Sequence, residues 1–118
     1  MYCSQTCGGL PTKAQLITHA VEWVRYANIT KGYGIRYWML GNESWNDPGY
    51  NGETTAVQYA ADINDFASAM KAVDPTIKII VNAQAGNDRT GTPWWSTLLN
   101  SSAVANIDIL AYSEYPTY

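Results

Sequence analysis

Helical patterns alternate with short apolar runs along this chain, and this alternation limits the fold more than any other feature of the sequence. The apolar runs at 35–40, 77–81 and 107–112 contain the β-branched and aromatic residues typical of strands. Helical patterns cover 12–28, 53–73 and 94–100. Helices of crossover length between apolar strands predict a parallel sheet built from right-handed βαβ units. The predicted fold class is therefore α/β.

The helices have recognisable start and stop signals. Thr12 can cap the first helix, and Gln15 can reach back to complete a capping box. The pair at 74–75, Asp-Pro, ends the second helix. Thr92 is predicted to cap the third helix, with Pro93 in its first turn. The apolar sides predicted for the first two helices consist of Leu16, Ile17, Ala20, Trp23, Val24, Ala27, Val57, Ala60, Ala61, Phe66, Ala67 and Met70. The run at 35–40 is predicted to be a strand buried on both faces.

Length and charge exclude several classes of protein. The 118 residues are predicted to form a single segment, 1–118, and are fewer than the roughly 250 of a complete (β/α)₈ barrel. A net charge of −3 gives no field that would attract nucleic acid or an anionic membrane, so neither is expected as a partner. The sequence has no apolar run long enough to span a membrane and no signal-peptide pattern.

Side-chain types favour a carbohydrate ligand over a metal or an organic cofactor. Nine Tyr and five Trp stand against one Phe, and rings with a polar tip suit clefts that hold polyhydroxylated ligands, although ordinary core packing explains them equally well. Cys3 and Cys7 are either incidental thiols or a local disulfide, and they lack the further ligands of a zinc site. His19 has no evident partner. We therefore predict no metal and no cofactor.

Polar residues follow each predicted strand at its carboxyl end, where parallel α/β proteins bind their ligands. Asn42 and Glu43 follow the first strand, Asn82 the second, and Tyr115 the third. A carboxyl group mounted on rigid backbone near apolar Trp and Met has the setting of a general acid. A lone loop glutamate is more commonly a solvated surface residue, so spacing alone does not decide the role of Glu43.

The longer string around Glu43 resembles retaining glycoside hydrolases of clan A. The segments at 23–28, 31–38 and 40–43 carry the likeness, and they are most similar to the α-L-arabinofuranosidase family, glycoside hydrolase family 51. The resemblance implies part of a (β/α)₈ TIM barrel, from the tail of strand three to strand six. In that family the Asn-Glu pair ends the fourth strand. By this match Glu43 would be the general acid/base, and Asn42 would bond the sugar's 2-hydroxyl.

Two departures from the family pattern limit this interpretation. Ser113 stands where relatives often carry a histidine after the sixth strand, with Glu114 beside it. The family's nucleophile ends the seventh strand, beyond Tyr118, so the isolated chain is expected to be inactive. Glu114 is a weak substitute, and Asp88, like Asp47 and Glu53, is interpreted as a solvated or capping residue.

The sequence thus predicts a fragment of a retaining glycoside hydrolase that acts on plant-type oligo- or polysaccharide. Trp45 and Tyr115 join Asn42 and Asn82 as predicted substrate-binding residues, although loop packing also explains the two rings. The alternatives are a non-catalytic carbohydrate-binding half-barrel and a small doubly wound domain. By analogy with other polysaccharide-degrading enzymes, the parent protein is expected to be secreted or periplasmic.

Overall fold

Three short parallel strands form one sheet in the part of the chain that the structure describes. The computed structural model describes residues 11–45 and 54–113. The elements in chain order are α1 (Lys13–Val24), continued by a π-helical segment (Arg25–Thr30), β1 (Tyr37–Leu40), α2 (Ala56–Val73), β2 (Lys78–Ala83), α3 (Trp94–Leu99), a 3₁₀ helix (Ser102–Asn106) and β3 (Ile109–Tyr112). The predicted alternation of helices and strands is confirmed; the 3₁₀ helix is an additional element.

The sheet has the order β1-β2-β3, and both pairings are parallel. In the register, Leu40 lies beside Val81, which lies beside Leu110. The parallel pairing predicted from the sequence is therefore confirmed. Because all three strands run the same way, the segments that follow them leave from one edge of the sheet.

The helices bury one face of this sheet. Ile79, Val81 and Ala83 alternate along β2 and are fully buried, as expected for side chains that share one face. Ile79 and Val81 form one core cluster with residues of α1, α2, α3 and the 3₁₀ helix, including Ile63 of α2 and Trp94 of α3. Burial of this apolar surface is the main favourable contribution to folding.

The opposite face of the sheet is largely open, which makes the prediction of a strand buried on both faces wrong for β1. Tyr37 is 58% exposed and Met39 is 49% exposed, whereas their neighbours Trp38 and Leu40 are half-buried against the core. Ile109 of β3 lies on the same open face and is 39% exposed. The physical reason is that the described helices all pack on the other side.

Several predicted helix details are confirmed and others are wrong. The capping box between Thr12 and Gln15 is present, and α2 ends at Val73 directly before the 74–75 pair. Trp23 is 68% exposed and Val57 is 63% exposed. Both were predicted to lie on the apolar sides of their helices, so for these two residues the prediction is wrong. Ala61 is also exposed, because α2 turns Asp62 inward instead. The predicted cap of α3 is displaced by one residue, since Pro93 occupies that position and the Thr92 hydroxyl pairs with Thr90.

Two ion-pair clusters fix the helices. Lys13 of α1 binds Asp62 at 2.7 Å and Asp65 at 2.5 Å, which explains how Asp62 can be buried on α2. Burial opposes the charge of Lys13, but its bonds to the two aspartates outweigh that effect and raise its pKa. Asp108, just before β3, binds Lys71 at 2.8 Å and Lys78 at 2.9 Å.

Some predictions fall on parts of the chain that the structure does not describe. Cys3, Cys7, Asp47, Tyr50, Glu53, Glu114 and Tyr115 lie outside the described residues. Across residues 11–45 and 54–113, no helix combines the length and apolar character needed to cross a bilayer.

Candidate functional site

Glu43 stands at the carboxyl edge of the sheet, three residues after β1 ends. Its side chain is half-buried, and Asn42 before it is exposed. The backbone of Glu43 has φ +46°, in the left-handed region that non-glycine residues seldom adopt. Such conformations persist only where surrounding contacts hold them, and they cluster at functional sites.

Gly41 allows the chain to turn at this point. Its φ is +76°, and a Cβ added there would lie 2.5 Å from the Ser44 hydroxyl and 3.6 Å from Oδ1 of Asn82. Ser44 itself is 8% exposed. A residue with a side chain would therefore be strained at position 41 and would displace Ser44. Ser44 thus folds back against Gly41, close to Asn82 at the end of the sheet.

Asn82 is the second polar residue of this edge, and it lies inside β2 rather than after it. The residue is 3% exposed, and its Nδ2 lies 3.5 Å from the Met39 sulfur. Its Oδ1 is buried without a hydrogen-bond partner in the described part of the chain. An unpaired buried acceptor costs about 1–3 kcal/mol, so a ligand hydroxyl donated to it would be stabilised.

The Tyr59 hydroxyl joins the ends of β1 and β2. It donates to the Leu40 carbonyl at 2.5 Å and accepts from the Asn82 N–H at 3.0 Å. Burial raises the pKa of this hydroxyl to about 12, against the opposing effect of its hydrogen bonds with Asn82 and Ser44. Tyr59 is therefore a neutral donor at neutral pH.

Trp94 supports the same edge from α3. Its ring stacks on Tyr59 with centroids 5.3 Å apart, and its Nε1 donates to the Asn82 carbonyl at 3.2 Å. Trp45 contacts it edge-on at 5.7 Å, so the loop after Glu43 packs onto the core through this ring. Trp45 is half-buried, which leaves part of its surface available to a ligand. Trp94, predicted to pack or to be exposed, is fully buried.

Asp88 ties the loop after β2 to the start of α2. Its Oδ2 accepts from the Ala56 N–H at 2.8 Å, and its Oδ1 accepts from the N–H groups of Thr90 and Thr92 at 2.8 and 3.0 Å. Burial would raise its pKa, but these bonds and one from the Thr90 hydroxyl lower it to about 2. The interpretation of Asp88 as a capping residue is confirmed.

The structure brings Glu43, Asn42 and Asn82 to one edge of the sheet, with Trp45 beside them, whereas Tyr115 lies outside the described residues. Sequence reasoning missed Tyr59, which has no local signal because its partners are 19 and 23 residues away. His19 is exposed on α1. Within the described ranges, no group of three or more His, Cys, Asp or Glu side chains is placed to bind a metal ion.

Comparison with protein families gives a match over residues 12–118 to the model of glycosyl hydrolase family 53. A probable α-L-arabinofuranosidase C of Aspergillus clavatus is 33% identical over 124 aligned positions, which cover 84% of this chain and 24% of that protein. The intracellular exo-α-(1→5)-L-arabinofuranosidase of Streptomyces lividans is 29% identical and is aligned over 83% of this chain and 17% of its own length.

Solved structures give a consistent likeness. The thermostable GH51 α-L-arabinofuranosidase of Thermotoga petrophila RKU-1 superposes with a TM-score of 0.63 at 27% identity, over 81% of this chain and 22% of that one. The arabinose complex of the Thermotoga maritima α-L-arabinofuranosidase superposes with the same score. The chain thus spans about a quarter or less of the length of these relatives. Its parallel sheet and its packed helices are consistent with part of a TIM barrel.

Proposed function

Since the chain belongs to glycosyl hydrolase family 53 and is an arabinofuranosidase-like partial chain of clan A, we propose that its parent protein hydrolyses α-L-arabinofuranosidic bonds with Glu43 as the general acid/base. The single observation that carries the proposal is the placement of Glu43. It stands at the carboxyl edge of a parallel sheet, in a left-handed conformation that its surroundings must hold.

The proposed reaction has two steps. A carboxylate from another part of the parent protein attacks the anomeric carbon, and Glu43 donates its proton to the departing glycosidic oxygen. The sugar is then bound covalently to that carboxylate. In the second step Glu43 takes a proton from water, the water oxygen attacks the anomeric carbon, and the carboxylate leaves. Glu43 ends the cycle protonated, ready to donate again.

The neighbouring residues supply substrate contacts in this proposal. Asn42 is exposed beside Glu43 and can donate to the sugar's 2-hydroxyl. The unpaired Oδ1 of Asn82 can accept from another hydroxyl of the sugar. The accessible part of Trp45 can stack on a sugar face, and Tyr115 is proposed as a further ring contact. In barrel terms, we assign β1, β2 and β3 as the fourth, fifth and sixth strands.

The test is hydrolysis of arabinose-containing oligosaccharides by the complete gene product and by its Glu43→Gln variant. Loss of a positioned general acid lowers the rate about 10²- to 10⁴-fold. Glu22→Gln is the matched control, because Glu22 is an exposed carboxylate whose side chain contacts Arg25 on α1. The control should retain wild-type activity. Activity of Glu43→Gln within about threefold of wild type would contradict the proposal, since a general acid contributes far more than that.

Binding measurements separate the enzyme from a carbohydrate-binding half-barrel. Titration with the same oligosaccharides, followed by tryptophan fluorescence, reports on ligand at Trp45. Saturable binding by the complete wild-type protein without any turnover would favour the non-catalytic alternative. Secretion or periplasmic placement of the parent remains a further proposal, tested by immunodetection in fractionated source cells.

A further inference from the structure

We propose that Tyr59 is a positioning residue for Glu43, because its hydroxyl bonds both β1 and β2 at the edge of the sheet and so holds the segment on which Glu43 is mounted. This inference rests on the proposed role of Glu43 and adds a residue to that site. It starts from the two hydrogen bonds that the phenol makes at the end of the sheet.

The Tyr59 phenol binds both strands at the carboxyl end of the β1–β2 ladder. In a parallel pair the bonds recur every two residues, and the Lys78 N–H donates to the Arg36 carbonyl at 2.7 Å. Continued in the same register, this pattern would join the Asn82 N–H to the Leu40 carbonyl. Both groups are also bonded by the phenol oxygen of Tyr59.

The two bonded groups lie at the places from which the proposed site is built. The Leu40 carbonyl stands directly before Gly41, and the Asn82 N–H belongs to the residue whose amide oxygen is unpaired within the described ranges. Tyr59 therefore ties the segment that carries Glu43 to Asn82.

The phenol itself is held firmly. Tyr59 belongs to the core cluster and is 5% exposed. Its ring stacks on Trp94, and Trp94 in turn bonds the Asn82 carbonyl. Two aromatic rings from different helices thus fix both backbone polar groups of Asn82. A side chain with this support can impose a geometry on its neighbours.

The same phenol contacts both ends of the segment that holds Glu43. It bonds the Leu40 carbonyl before Gly41 and the Ser44 side chain after Glu43. Between these anchors the backbone has left-handed φ values at Gly41 and Glu43. A conformation that glutamate seldom adopts needs such external bonds to persist. Removal of the hydroxyl should therefore relax Glu43 from its working position.

The experiment compares leaving groups in the complete gene product. Departure of a poor alkyl alcohol needs a proton from the acid, whereas a nitrophenolate leaves without one. Because kcat/KM reports the step in which the leaving group departs, Tyr59→Phe should lower kcat/KM by about tenfold or more for alkyl arabinofuranosides and by less than about threefold for nitrophenyl arabinofuranosides. A simple loss of folded protein would lower both values equally.

Tyr33→Phe is the matched control, since Tyr33 is 65% exposed and lies in the turn before β1. It should behave as wild type with both substrates. If Tyr59→Phe does not fold, Ser44→Ala replaces it, because that variant removes one hydrogen bond of the phenol and leaves the ring in place. It should show the same preference for the activated substrate, to a smaller extent.

The two possible failures are distinguishable. In the first case Glu43→Gln loses activity mainly on alkyl substrates, but folded Tyr59→Phe, or Ser44→Ala in its place, keeps the wild-type ratio of kcat/KM between alkyl and nitrophenyl substrates. The positioning role is then wrong, and the proposed function stands. If Glu43→Gln itself loses no activity on alkyl substrates, the proposed function fails, and the role of Tyr59 fails with it.

Discussion

Replacing Asp88 by alanine should destabilise the fold by about 3 kcal/mol, because it deprives a helix terminus of its charged acceptor. Asp88 reaches from the loop after β2 to the first residue of α2, whose N–H it accepts at 2.8 Å. The two loops that it joins both leave from the carboxyl edge of the sheet.

The magnitude follows from which donors lose their partner. Ala56 is fully buried, so its N–H finds no water when the carboxylate is removed, at a cost of about 1.5–3 kcal/mol for a charged bond. Loss of the negative charge at the start of α2 adds about 0.3–1 kcal/mol. Thr90 is exposed and Thr92 is half-buried, so water can hydrogen-bond to their N–H groups in place of the carboxylate, and their loss adds little to the cost.

Urea unfolding, followed by the fluorescence of Trp94 and Trp45, measures the effect. The folded-state pKa of Asp88, about 2, lies below its ordinary value of 3.8. The contribution of the carboxylate is therefore complete above about pH 4 and is lost as the pH falls toward 2. The wild type should lose this stability on acidification, and Asp88→Ala should lack that part of the pH dependence.

The control is Glu22→Ala, an exposed carboxylate on α1 that should change the free energy of unfolding by less than about 0.5 kcal/mol. An Asp88→Ala variant within about 1 kcal/mol of wild type would refute the reasoning, since a buried donor without a partner costs at least that much. If Asp88→Ala has the urea midpoint of the wild type and loses stability on acidification to the same extent, another carboxylate controls the low-pH transition.

Other predictions concern the two ends of the sheet. Gly41→Ala should lower the free energy of unfolding by about 1–3 kcal/mol in urea titrations and reduce activity further, because the new methyl group meets the Ser44 hydroxyl in a left-handed conformation. Asp108→Asn should cost about 1–2 kcal/mol by the same assay, because Lys71 and Lys78 lose their common partner. Burial acts against the charge of Asp108, but bonds led by that from Lys71 lower its pKa, so this contribution should vanish as acid protonates the group.

Local patterns were sufficient to predict the succession of elements. The capping box at Thr12 acts through bonds within one turn, and Pro75 restricts the residue directly before it, so both signals are local and both are where the sequence indicated. The spacing of apolar residues along a helix was a less reliable guide to which side chains are buried. Val57 fits the apolar side of α2 but is exposed, while Asp62 is buried because Lys13 from another helix neutralises it.

The candidate site was only partly predictable for the same reason. Asn42 and Glu43 follow a recognisable strand, so their place at the edge of the sheet could be inferred. Tyr59 occupies an ordinary position in an amphipathic helix, and its role depends on Leu40 and Asn82, which are distant in sequence. The open face of β1 could not be anticipated, because it depends on which elements cover the sheet.

The most direct test of the acid/base assignment is a crystal structure of the complete Glu43→Gln protein with an intact arabinofuranoside bound. We expect the side chain at position 43 to lie about 2.6–3.2 Å from the glycosidic oxygen, the distance over which a proton can be transferred. A sugar bound elsewhere, or a side chain at position 43 directed away from that oxygen, would contradict the account.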